Sequence, residues 1–186
     1  MGNWFQRIVD RDVALVEAEH LASKTREWLI EQEIIEPQLT YCGLGNDGLG
    51  YPPGRKSSQI VVGSSDNLQE LEINGLQIIV GRTVFDCGQG GFDLICHQCR
   101  SRIDVNEISK VWGDAVTEWY QETGQGLLKC PNCGYVEPVT EWKYDPSFGF
   151  GNLGFEFWNW GTLTEGFIMA LSQQLGHRTV YISGKL

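Results

Sequence analysis

The sequence predicts an α+β fold: a mixed sheet with two packing helices, interrupted by a cysteine-bearing insertion. Three observations carry that expectation. Apolar residues recur at helical spacing near both ends of the chain, strand-like runs lie on either side of its middle, and two Cys-x-x-Cys pairs bracket that middle. With 186 residues, 41% hydrophobic and 11% aromatic, the chain has the material for one core burying about 70% of its unfolded surface.

The first helix is expected from about residue 12 to 33, because Val13, Val16, His20, Leu21, Trp28 and Leu29 approximate one apolar stripe. Asp10 or Asp12 can cap its start, and Pro37 forbids continuation. His20, on the edge of the stripe, is expected at or near the surface rather than as a ligand. Residues 42–54 then form a glycine-rich loop whose first part spells Gly43-x-Gly45-x-x-Gly48. The dinucleotide fingerprint needs a helix directly after it, and Pro52-Pro53-Gly54 follows instead, so the glycines point to turns or to the lining of a site. Beyond it, Leu71–Ile73 and Leu76–Val80 read as two strands joined by a type I′ turn at Asn74-Gly75, with Val84–Asp86 continuing the sheet.

Two short motifs dominate the middle. Cys96-x-x-Cys99 and Cys130-x-x-Cys133 can place four thiolates around one tetrahedral ion, and Lys129-Cys130-Pro131-Asn132-Cys133-Gly134 has the proline and glycine of a tight turn around a metal. The segment over residues 94–142 resembles the zinc-ribbon family. The resemblance implies one structural Zn2+ on Cys96, Cys99, Cys130 and Cys133, shared by two knuckles at hairpin tips. The first knuckle, Cys96-His97-Gln98-Cys99-Arg100, departs from it in lacking the trailing glycine, and 30 residues separate Cys99 from Cys130. His97 could replace one sulfur, but is expected to be an exposed knuckle residue. A redox dithiol would need one such pair opening a helix, not two among strands. The domain organisation expected is therefore residues 1–93 and 143–186 as one α+β domain, with 94–142 as an inserted zinc-ribbon subdomain containing a helix.

That inner helix follows from Ile108, Val111, Trp112, Ala115, Trp119 and Tyr120, with Asn106 as cap and Gly124 as stop. Its tryptophan face is expected to pack on the main body or to offer a partner surface. After Trp142, eight of 21 aromatic residues fall within 19 positions. Phe155 and Phe157 lie on one face of a strand and Glu156 and Trp158 on the other, while glycines at 149, 151 and 154 suggest a bend. Thr162-x-x-Glu165 reads as a capping box for a helix ending at Gly176, and Thr179–Ile182 as a final strand near the sheet centre.

The function expected is that of a non-catalytic intracellular zinc-containing binding or adaptor protein whose partner is a protein, a basic one being suited to the chain's charge. The alternative is a small enzyme with a purely structural zinc, using a carboxylate (Asp66, Glu70 or Glu156) or a cysteine (Cys42 or Cys87). A formal charge of −10 repels polyanions, and residues 94–141 hold four cations against seven carboxylates, which argues against nucleic acid. Trp112, Trp119, Trp158 and Trp160 are the expected anchors for a protein partner. No run approaches the ~18 apolar residues that span a bilayer, and Met1–Arg7 lacks the apolar region of a secretory signal. Together with metal-type cysteine spacing, this makes a reducing cytoplasm the expected location.

Overall fold

The computed structural model describes residues 2–45, 47–63, 72–88 and 90–186. The chain divides into two compact units, Met1–Gly88 with Gly149–Leu186, and Gln89–Phe148. The fold is α+β, and no described helix is long and apolar enough to cross a membrane.

The first unit is built on a four-stranded sheet. Its strands are β1 (Trp4–Asp10), β2 (Gly75–Phe85), β8 (Gly149–Trp158) and β9 (Thr179–Lys185), in the order β2-β8-β1-β9. The expected mixed sheet is instead antiparallel in every one of these ladders. The final strand lies at an edge and not near the centre, because β1 takes the central place beside β8. Strand β1 escaped sequence reasoning. It is buried on both faces, so its Trp-Phe-Gln-Arg-Ile-Val-Asp string shows no hydrophobic alternation.

One face of the sheet packs on α1 (Leu15–Glu31) and α3 (Glu165–Leu175). Ile8, Leu76, Leu153, Phe155 and Phe157 meet Ala18, Ala22, Leu29, Phe167 and Leu171 in a single apolar cluster. The buried stripe of α1 is Ala18, Ala22, Thr25 and Leu29; of the expected set Val13 and Leu29 are buried and Leu21 and Trp28 pack against the cluster, while Val16 is 91% exposed. Small residues at 18 and 22 let the helix approach the sheet closely, which a pattern of large apolar residues does not reveal. Asp10 holds the turn ahead of α1 by accepting from the N–H groups of Asp12 and Val13, while Ala14 at the N-cap makes no side-chain cap. Helix α3 is capped by Thr164, whose Oγ1 accepts from Phe167 N–H at 3.2 Å, rather than by Thr162. It stops as expected at Gly176, at φ 74°.

The expected 71–80 hairpin does not form. Leu71 lies outside the described residues, Glu72 and Ile73 are not strand, and Asn74-Gly75 leads into β2. Position 76 pairs outward with Tyr51 and inward with Phe157, and Val84 lies in the same long strand. The sheet's irregularity falls on β2, between Val80 and Thr83, and β8 runs unbroken through its three glycines. At Gly154 the reason is close approach: a Cβ there would sit 2.4 Å from the Phe85 ring.

The second unit carries β3 (Asp93–Ile95), β4 (Arg102–Asp104) and β7 (Lys143–Asp145) in a sheet of order β4-β3-β7. A separate hairpin joins β5 (Leu127–Lys129) to β6 (Val136–Pro138). Helix α2 (Ser109–Tyr120) lies between them in the chain. A short 3-10 turn at Val105–Glu107, capped by Asp104 accepting from Asn106 N–H, precedes α2, so Asn106 is not the cap expected of it. Trp112 packs on rings of its own unit, 5.1 Å from Phe92 and edge-on to Phe148, and donates through Nε1 to the Tyr144 hydroxyl. This aromatic cluster, with Leu94, Ile103, Leu128 and Val139 buried, gives the unit its apolar contacts.

Candidate metal centre

Each Cys-x-x-Cys stands in a turn between two short antiparallel strands. Cys96–Ser101 joins β3 to β4, and Cys130–Tyr135 joins β5 to β6. The two turns share one hydrogen-bond scheme. Arg100 N–H donates to Cys96 C=O and Gly134 N–H to Cys130 C=O, both at 3.0 Å. Cys96 N–H donates to Ser101 C=O at 3.1 Å and Cys130 N–H to Tyr135 C=O at 2.7 Å. The residue after the second cysteine is left-handed in both, with φ 61° at Arg100 and 77° at Gly134. The missing glycine of the first knuckle therefore costs strain without changing the turn.

The four sulfurs converge. All lie within 4.8 Å of one another, with Cys96 Sγ to Cys133 Sγ at 3.7 Å and Cys99 Sγ to Cys130 Sγ at 3.8 Å. These separations are far beyond the ~2.05 Å of a disulfide, and all six cysteines are free thiols. A tetrahedron with metal–sulfur bonds of about 2.3 Å has edges of about 3.8 Å. The set of donors therefore fits a single tetrahedral metal ion.

The surroundings favour the thiolate at two of the four positions. A hydrogen bond from the Ser101 hydroxyl, and another from its backbone N–H, draw Cys99 down to about 6. Cys130 is also lowered: burial opposes ionisation there, but the N–H groups of Cys133 and Asn132 point at its sulfur. Cys133 is pushed up to about 12, although the Tyr135 N–H favours its charged form, because it is desolvated and stands among the other three sulfurs. A cation at the centre would reverse that repulsion and release the remaining protons. His97 does not join the set. Its Nδ1 lies 3.0 Å from Glu137 Oε2, which ties the exposed imidazole to a buried carboxylate across the two knuckles.

The other residues singled out from sequence are held in the first unit. Glu156 is buried on the sheet face opposite the helices, with Oε1 2.5 Å from Arg7 Nε; burial pushes its carboxyl up despite that partner. Trp158 Nε1 donates to Gln77 Oε1 at 2.7 Å, and Gln77 also bonds the main chain of Gly45 and Leu49. The glycine-rich loop is thus a cover over Gln77. A Cβ at Gly43 would stand 2.4 Å from the Gln77 side chain, and Gly48 sits at φ 76°. Cys42 and Cys87 are buried apart from the quartet, and burial pushes both thiols up, the opposite of what a nucleophilic cysteine needs. Trp158 and Trp160 are core residues and not surface anchors. Asp66 and Glu70 lie outside the described residues.

No family model matches the chain, and no solved structure matches it. The chain is similar over 83 residues, 28% of them identical, to the pesticidal crystal protein Cry1Bc of Bacillus thuringiensis subsp. morrisoni. That stretch is 43% of this chain and 7% of the length of the crystal protein, so the similarity assigns neither a family nor a role.

Proposed function

We propose that the chain is a non-catalytic, zinc-containing binding protein, an adaptor for a protein partner. In this reading one structural Zn2+ on Cys96, Cys99, Cys130 and Cys133 organises a zinc-ribbon insertion over residues 94–142. The observation that carries the reading is the closed set of four sulfurs, 3.7 and 3.8 Å apart along two of its edges. Four thiolates complete a tetrahedral shell and leave no position for water or substrate, so the bound ion supplies a crosslink between two turns. Zinc is an ion that this number and softness of donors suit.

Among the described residues, those singled out for an enzyme are committed elsewhere. Glu156 is paired with Arg7, and burial pushes the thiols of Cys42 and Cys87 up, away from the thiolate form a nucleophile needs. A chain of charge −10 suits a basic protein and repels nucleic acid. Six unpaired thiols suit a reducing cytoplasm. Metal analysis tests the core of the reading: the purified protein is expected to carry one zinc per chain, and Cys130→Ser to lose it. Tight, salt-sensitive retention on DNA or RNA would contradict the partner class.

A further inference from the structure

We propose that the outer edge of β2 docks an extended peptide, a basic segment of the protein partner that adds as a strand beside Ile78 and Val80. This rests on the protein-binding reading above and specifies where and how the partner is held.

The main chain provides the first observation. Strand β2 is the edge of its sheet, and Leu76 exchanges two hydrogen bonds with Tyr51 on the side away from β8, at 2.8 and 2.9 Å. In an antiparallel ladder, residues two apart direct both polar groups to the same side. Ile78 and Val80 therefore also point N–H and C=O outward, and no described residue accepts or donates there. The loop that pairs at Tyr51 does not continue along the edge. Gly50 is drawn off into paired bonds with Thr40, both 2.9 Å, and the Leu49 carbonyl accepts from Gln77 Nε2. At the other end the ladder breaks after Val80, where Gly81 sits at φ 120°. Among the described residues, what remains is a window of two N–H and two C=O groups, the arrangement that strand addition uses.

The second observation is that this window floors a cleft. A cavity of about 400 Å³ lies along it, walled on one side by Glu19, Ala22 and Arg26 of α1 and on the other by Leu39, Asp47 and Leu49 of the loop. The exposed side chains of Leu39 and Val80 offer apolar surface to alternate residues of an added strand. Two carboxylates outnumber the one guanidinium in the walls, and Arg26 already lies 3.8 Å from Glu27. The cleft thus selects main chain by the β2 edge, and side chains by apolar contact and negative charge. The matching ligand is an extended segment in which apolar residues alternate with Lys or Arg.

Ten-residue peptides displayed on phage and selected against the metal-loaded full chain provide the test. Selected sequences are expected to alternate apolar with Lys or Arg. Binding is expected to slow amide exchange of Ile78 and Val80 at least about tenfold, since both gain main-chain partners. Val80→Pro removes one outward N–H at a position where an edge strand accepts proline, and is expected to weaken binding about tenfold. Glu19→Lys, on the exposed face of α1, is expected to weaken it about fivefold at low salt, and supplies a reversal should the proline variant not fold. Peptides that bind without changing exchange at Ile78 and Val80 would overturn the docking edge and leave the adaptor reading standing. A library that yields no binder would overturn both.

Discussion

Arg100 and Gly134 occupy equivalent left-handed positions, and a side chain there costs about 1 kcal/mol or more. Gly134→Ala is therefore expected to destabilise the second unit by about 1 kcal/mol. The cost is conformational, because the nearest atom to a new Cβ is Lys129 Cε at 3.5 Å. Gly166→Ala is the control. It lies in α3 with open space around it, and a helix former there is expected to stabilise by up to about 1 kcal/mol in a denaturant titration. Glu156 carries a pH signature in the carboxylate range. Its folded pKa is raised by desolvation, so its contribution is intact below the unfolded carboxyl value of about 4.3 and is lost as pH rises through the folded value. Glu156→Gln is expected to flatten the stability–pH profile over that window. An unchanged slope would place the dependence elsewhere.

At the scale of elements, the glycine-rich loop and the two knuckles hold by different means. The loop is seated on Gln77, and Gly43→Ala would force a Cβ into that side chain. The expected cost is about 1–3 kcal/mol, with loss of protection at Gly45, whose N–H bonds Gln77. The knuckles stand on three-residue strands that hold little by themselves, so Cys130→Ser is expected to unfold the second unit before the first. Amide exchange would show it, and equal slowing in both proteins would contradict it. Sequence patterning located α1, α2, α3 and the strand with Phe155 and Phe157 against Glu156 and Trp158. It missed elements whose signal lies in tertiary contacts. Strand β1 is buried on both faces, and Asn74-Gly75 resembles a hairpin turn although the partner of Leu76 is Tyr51. The four cysteines were legible because metal geometry fixes local spacing. The edge of β2 was not, since it arises from the order of strands.

On the scale of the whole molecule, one unit is stabilised by a conventional core and the other by a small aromatic cluster with a sulfur cage. The account predicts that chelation leaves the β2-β8-β1-β9 sheet folded while the second unit loses its amide protection. A single transition for both would mean that the metal holds more than its own unit. The central claim is that Cys96, Cys99, Cys130 and Cys133 share one zinc ion, and zinc K-edge X-ray absorption on protein purified without added metal tests it most directly. The predicted spectrum has a first shell of four sulfurs at about 2.3 Å. A shell containing nitrogen or oxygen, or protein with no zinc edge at all, would contradict it.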